Sequence, residues 1–451
     1  MPPNLVTIGR AQEQILDAVE PLGEELVPID DALDRVLARD LRAAGDVPPF
    51  ASAAMDGYAV LAGPAGRTLR VIGEARAGVP SELEIGAGEA IRTSTGAELP
   101  AGANAVIRQE QVDAEGDRVT LRAGVAVTED VRHRGEDLAA GACVLSAGTR
   151  LGAPELAGAV AAGAGAVWCA RQPRVAILCT GTELRAPGEP LGPGEIHNAN
   201  AVTLRALATR AGALTSPAAR LADDLPAIET ALAAALAGAD VVVLTGGVSV
   251  GPHDHVKHAL GALGVEQQFW GVAIQPGKPT WFGTLPDPGD AGRRASQGQQ
   301  APRDVGRQAN SQGRRSRPNA SGQQPPRDVR RQANSQGRRS RPVFALPGNP
   351  VAAFVAFTMF VRPALLALQG ARGDGELIAA LAAPFKLNPT REQLITVRLE
   401  HGDAGTTAVP NGPQGANLIS SLLGADALAL IPSGTGELEA GSRVAVISLP
   451  R

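Results

Sequence analysis

The sequence predicts a multidomain protein of the α/β plus β class: a doubly wound α/β domain with Gly-rich ligand loops, a β-rich domain, a small helical linker region and a small C-terminal β domain. Three observations predict it. Residues 171–285 alternate short apolar runs with helical patterns. Both flanks carry alternating segments between Gly/Pro turns. The 451 residues also exceed what one core fills, favouring two to four domains. With 44% hydrophobic and 20% charged residues, the composition is that of a folded chain rather than a disordered one or a multi-span membrane protein.

Taken in order, Ile8–Val19 and Pro154–Ala162 read as helices, and 1–45 with 147–170 form the helical linker domain. Residues 46–146 form the β-rich domain, with Leu69–Ile72 and Arg118–Leu121 as strands. The α/β domain spans 171–370. Val175–Leu178 is a buried strand, Asn200–Ala213 has helical spacing, and Asp223-Asp224 offers an N-cap for a helix to about Ala237. Val241–Leu244, apolar and β-branched up to Thr245-Gly246-Gly247, suits a central parallel strand covered on both faces. Val343–Leu346 is another strand. Pro347-Gly348 then turns the chain, and Asn349 and Pro350 start a helix reaching the neighbourhood of Arg362-Pro363. Residues 375–451 form the C-terminal β domain, with strands at Leu394–Leu399 and Arg443–Leu449.

One tract departs from this pattern. Residues 287–342 hold 13 Arg, 4 Asp and no Lys, a charge of +9 that leaves the remainder at -13 within the overall -4. The segment QANSQGRRSRP at Gln308–Pro318 returns unchanged at Gln332–Pro342. With almost nothing apolar to bury between copies, the tract reads as a disordered surface insert between Thr280–Leu285 and Val343–Pro350, runs otherwise joined by a short hairpin. The acidic body offers no nucleic-acid footprint, so nucleic acid is not an expected partner. An Arg-rich arm for RNA is the competing reading of the insert.

Val351–Val361 is too short to cross a bilayer, and Met1–Arg10 lacks a signal pattern; no membrane association and a cytoplasmic location are expected. Cys143, Cys169 and Cys179 form no C-x-x-C pair and read as buried thiols, so any metal binds through oxygen.

Four loops can carry chemistry: Thr180-Gly181-Thr182-Glu183, Thr245 to Gly251 with Gly246, Gly247 and Ser249, Pro276-Gly277-Lys278-Pro279, and Leu346-Pro347-Gly348-Asn349-Pro350. If they follow parallel strands, they share the sheet's carboxyl edge, where free N–H groups and close backbone approach hold a phosphate-bearing ligand. Lys257 and Lys278, two of only three lysines, fall within or beside these loops. The carboxylates Glu183, Asp223, Asp224 and Asp254, with Asp56 and Glu136-Asp137, suit Mg²⁺ held between protein and phosphate, although one of Asp223 and Asp224 must cap a helix. His253, His255 and His258 read as polar loop histidines, since no further ligand signature accompanies them.

Together Ala53-Ala54-Met55-Asp56-Gly57-Tyr58-Ala59, Thr95-Gly96-Ala97 with Pro100 and Gly102, Gly135-Glu136-Asp137, Thr180–Leu184, Thr245–Gly251, Pro276–Pro279 and Leu346–Pro350 resemble the molybdopterin molybdenumtransferase family, related to the molybdenum-cofactor domain of gephyrin. The resemblance spans essentially the whole chain except the insert. It implies that adenylylated molybdopterin and molybdate give molybdenum cofactor and AMP with Mg²⁺ assisting. It also implies a homodimer with the site between the α/β domain of one subunit and the β-rich domain of the other, and a molybdopterin adenylyltransferase as substrate donor. By motif position, Asp56, Thr95 and Asp137 come from the β-rich domain and Glu183, Asp223, Asp254 and Lys278 from the α/β domain, with Asp56, Glu183, Asp223 and Asp254 holding metal. The alternative is a non-catalytic paralogue that binds molybdopterin or its cofactor form. Two lysines usual in the family are absent, with Gly271 and Gln275 in their places, and Ala53, Thr182, Ala199, Ala352 and Ala416 replace usual polar residues.

Overall fold

A computed structural model describes residues 5–247, 255–286, 340–373, 377–403 and 405–449. The chain divides into two units. One comprises Met1–Glu20, Arg174–Ala364 and Glu376–Arg451, the other Pro21–Pro173 and Leu365–Gly375.

The first unit is built on a mixed sheet. Its strands are β1 (Arg174–Thr180), β2 (Leu214–Thr215), β3 (Val241–Thr245), β4 (Glu266–Trp270), β5 (Trp281–Leu285) and β6 (Arg341–Leu346), in the spatial order β2-β1-β3-β6-β5-β4, with Ala219–Leu221 also beside β1. The β2, β1, β3 and β6 pairings are parallel, as β-branched runs buried on both faces require, while β5 and β4 are antiparallel additions. The two faces have separate cores. Val242, Leu244, Val343 and Ala345 point to the side of helices Leu225–Gly238 and His255–Ala262. The intervening Val243 and Phe344 are fully buried on the opposite side, where Phe344 stacks 5.0 Å from Phe282.

The helix after β6 runs from Pro350 to Leu368, past the Arg362-Pro363 stop expected from sequence. A π turn at Phe357–Val361 absorbs Pro363. Proline has no N–H to give Met359 O, which instead accepts from Gln12 Nε2 at 3.0 Å. This helix is long and apolar enough to span a membrane, but 72% of it is buried within the protein. Burial, rather than the shortness of Val351–Val361, marks it as a core helix. Helix Ile8–Ala18 packs on its π turn through a face that includes Ile8, Ala11 and Ile15, which places the N-terminus in the α/β unit and not in the expected 1–45 linker domain.

Within the same unit, Leu377–Leu381, Glu392–Gly402, Gly405–Pro410, Ala427–Ile431 and Arg443–Ser448 close into a five-stranded barrel, because Glu392–Gly402 pairs with both Gly405–Pro410 and Ala427–Ile431. Closure removes the free edges.

The second unit has a six-stranded mixed sheet whose one parallel pairing joins Thr68–Ala75 to Glu89–Thr93. Its linker part is mainly strand: Glu24–Pro28 pairs with Ala166–Ala170 and Leu41–Arg42 with Cys143–Leu145, beside a single helix, Ala153–Ala161. The expectation of three buried thiols holds for Cys169 and Cys179 but not for Cys143, which is exposed on a short outer strand.

Candidate functional site

β1, β3 and β6 end side by side at Thr180, Thr245 and Leu346. β5 runs the other way, with Trp281 opposite Ala345, so Pro276–Pro279 reach the same edge by preceding a strand, a correction to the all-parallel expectation. Gly246, at φ +88°, crosses so near β1 that a Cβ would lie 2.4 Å from Thr180 O; only glycine fits. The loops are tied together from beneath. Thr245 Oγ1 donates to Pro347 O at 2.8 Å, while Asn200 Nδ2 donates to Thr245 Oγ1 at 2.9 Å and to Gly348 O at 2.7 Å. Asn200 was not among the sequence-derived site residues. Its signal was the second Asn of Asn198-Ala199-Asn200, since only Asn198 caps the helix, accepting from Ala201 N.

Three cavities open at this edge. The first, about 480 Å³, is lined by Thr180, Gly181, Glu183, Asp223, Gly246, Gly247, His255, Pro279, Pro347 and Gly348. The aspartate pair is resolved here: Asp224 Oδ2 caps helix Leu225–Gly238 by accepting from Ala227 N at 3.1 Å, leaving Asp223 to face the cavity. The second, about 380 Å³, is lined by Pro276, Gly277, Lys278, Pro347 and Asn349 together with Arg391, Gln393 and Gln414 of the barrel. Lys278 therefore stands beside the carboxylate cavity and not in it, the two sharing Pro279 and Pro347. The third, about 220 Å³, is lined by Thr180, Glu183, His197, Asn198, Asn200, Thr245, Gly348 and Asn349 among others. Asn349 occupies the helix N-cap position without a side-chain cap bond, so its amide is available to the cavities it lines.

In the other unit, Asp56 and Thr95 meet directly. Thr95 N and Oγ1 donate to Asp56 Oδ1 at 2.7 and 3.0 Å. The Thr95 amide, then its hydroxyl, and the charge of Arg92 hold the Asp56 carboxyl below its ordinary range. Thr95 thus acts on Asp56, as a donor that keeps it ionised. Gly57 is required beside it, because a Cβ there would lie 1.9 Å from Ile107 O. Asp137 is exposed on its loop, its N–H donating to Val47 O at 3.0 Å.

Of the expected metal set Asp56, Glu183, Asp223 and Asp254, Glu183 and Asp223 line one cavity. Asp56 is in the second unit, and Asp254, with Ser249, Gly251 and His253, lies outside the described residues. Among the described residues no group of three or more His, Cys, Asp and Glu could hold a metal ion. Glu183 and Asp223 in one cavity do suit Mg²⁺, which keeps several waters and takes one or two carboxylates plus ligand phosphates. Lys257 Nζ lies 4.5 Å over the Trp270 ring. Burial pushes the Cys179 thiol up, partly offset by a hydrogen bond with Asn198. At Gly271 and Gln275 no cation is present: Gly271 has φ +86°, and Gln275 Oε1 accepts from Asn388 Nδ2 at 2.7 Å. The cation that sequence reading missed is Arg391, brought in by the barrel.

Fold and site together define a class: a multidomain protein with an α/β domain whose carboxyl edge offers paired carboxylates and a separate cationic pocket to an anionic ligand. Comparison with known proteins gives the family. Residues 6–163 match the MoeA N-terminal region (domain I and II), 176–367 a probable molybdopterin binding domain, and 379–449 the MoeA C-terminal region (domain IV). The molybdopterin molybdenumtransferase of Nostoc sp. is 30% identical over 94% of this chain and 89% of its own, and that of Haemophilus influenzae 29% over 98% of each. A crystal structure of the molybdopterin biosynthesis MoeA protein from Pyrococcus horikoshii OT3 covers 99% of this chain and all of its own at 28% identity and a TM-score of 0.75. The chain belongs to the molybdopterin molybdenumtransferase family.

Proposed function

We propose that the protein inserts molybdate into adenylylated molybdopterin, giving molybdenum cofactor and AMP. The observation that carries this is the pairing of two neighbouring cavities of opposite character, Glu183 with Asp223 in one and Lys278 with Arg391 in the other. Molybdate is a tetrahedral dianion, and an ammonium and a guanidinium on one pocket wall match it. Arg391 takes over charge that the family's usual lysines at positions 271 and 275 would bring. The amides of the Gly246 and Pro347 loops turn toward phosphate, and Glu183 and Asp223 hold Mg²⁺. Bound there, Mg²⁺ would supply positive charge to offset that of the pyrophosphate linkage. In this reading the site is completed by Asp56, Thr95 and Asp137 from a partner subunit of a homodimer. The protein works in the cytoplasm and takes its substrate from a molybdopterin adenylyltransferase. The test is AMP release from adenylylated molybdopterin, with and without molybdate and Mg²⁺. Release that needs both supports the reading; tight binding without release replaces it with a carrier role.

A further inference from the structure

The cavity of about 220 Å³ differs from its neighbours in chemistry. Among the described residues no Lys or Arg lines it, and it lacks the second carboxylate that would share a metal ion with a phosphate, so its wall offers the phosphate end of a ligand nothing to pair with. Asn200, only 9% exposed, fixes what it favours. Gly348 O can only accept, and the Thr245 hydroxyl hydrogen goes to Pro347 O, so both Asn200 N–H groups are spent as donors and the amide orientation is determined. Asn200 Oδ1 remains, a rigidly held acceptor without a partner among the described residues. A second unspent group lies on the same wall: Thr180 Oγ1 is buried and makes no hydrogen bond.

We propose that this cavity holds the heterocyclic end of the substrate, with Asn200 Oδ1 accepting a ring lactam N–H and the Thr180 hydroxyl donating to the adjacent oxo group. An N–H beside a C=O spends both groups at once, and the phosphate end then points to the carboxylate cavity, which shares Thr180, Glu183, Gly246 and Gly348. The assignment rests on the molybdopterin reading, since a pterin carries that edge, and it makes Asn200 a specificity-determining residue.

The test titrates the full chain with 6-hydroxymethylpterin and with its N3-methylated form, which lacks the ring N–H, by pterin fluorescence. Methylation is expected to weaken binding to the wild type about tenfold. Asn200→Ala should bind both within about twofold, the non-additivity that marks a direct contact. Thr180→Val should bind the pterin about tenfold more weakly with no lowering of Tm, because its hydroxyl has no partner to lose in the free protein. Equal affinity of the wild type for both compounds, the same methylation penalty in Asn200→Ala, or no pterin binding overturns the assignment. Should Asn200→Ala fail to fold, Thr180→Val decides alone, and unchanged pterin binding overturns it. Molybdate-dependent AMP release by the same wild-type preparation reports on the transferase reading separately, so release without a methylation effect removes the pocket assignment and leaves that reading standing.

Discussion

Two adjacent aspartates separate stability from chemistry. Asp224 Oδ2 accepts from Ala227 N at 3.1 Å and caps helix Leu225–Gly238, whereas Asp223 faces the carboxylate cavity. Replacing Asp224 by Ala removes one N-cap bond, about 1 kcal/mol. For a domain of this size that lowers Tm by about 2–4 °C. At 25 °C the variant stays folded, so its turnover should remain within about twofold of wild type, because a cap of this size is a small part of total stability. Asp223→Ala should reverse the pattern. The cap is untouched and the residue exposed, so Tm should move by no more than about 1 °C. Turnover should fall about 100-fold, the usual loss when one charge-stabilising group leaves an active site. Thermal unfolding by circular dichroism and AMP release on the same preparations give the four numbers. If Asp224→Ala loses turnover as Asp223→Ala does, or if Asp223→Ala keeps it, the division of roles is wrong and the metal assignment goes with it.

Thr245→Val leaves Pro347 O and one Asn200 N–H without their buried partner, about 2–4 kcal/mol together; Tm should drop by at least about 4 °C, and an unchanged melt would show that the loop tie is not formed. Lys278→Gln and Arg391→Gln should each raise KM for molybdate about tenfold while leaving KM for the pterin substrate near wild type; an Arg391→Gln variant with normal molybdate saturation removes the barrel from the site. Because Thr95 holds Asp56 below its ordinary range, that contribution is complete above the ordinary value of 3.8 and fades as pH falls through the lower folded value. Thr95→Val keeps the amide and removes the hydroxyl, so it should move the carboxyl titration part of the way up toward 3.8, read by carboxyl ¹³C shifts; an unmoved titration refutes the hydroxyl's share. Leu285 and Arg341 are paired in register across β5 and β6. Replacing residues 288–339 by two residues, which leaves a five-residue hairpin loop between Leu285 and Arg341, should therefore leave Tm and AMP release unchanged; a collapse of either would make the insert part of the fold or the site.

The sheet was legible because its strands are apolar on both faces: Val241–Val243 and Val343–Leu346 alternate between two cores that both demand burial. The helix start at Asn349-Pro350 was legible for local reasons, but its end was not. A proline normally stops a helix, and here Gln12, more than 300 residues away, supplies the donor that Pro363 lacks, which no local pattern encodes. The N-terminal helix was recognised by its periodicity. Its assignment to the linker failed because an apolar face states that something covers it without naming what.

The site divides along the same line. Motifs contiguous in sequence, such as Thr180–Glu183 and Pro347–Asn349, were readable because glycines and caps act over a few residues. Lys278 was readable as part of such a loop, whereas Arg391 was not. Absence of lysine at 271 and 275 suggests a weak anion site when the loop is read alone, yet Ile274-Gln275 pairs in parallel with Glu392-Gln393. That pairing places the residue just before Glu392, which is Arg391, on the wall of the Lys278 pocket. Gln275 is then free to serve a different purpose, its amide oxygen receiving Asn388 Nδ2 and fastening the loop to the barrel. A strand pairing more than 110 residues apart brings to the Lys278 pocket a charge that the loop itself lacks, and in the proposed reading molybdate binding depends on that charge rather than on the residues that are missing.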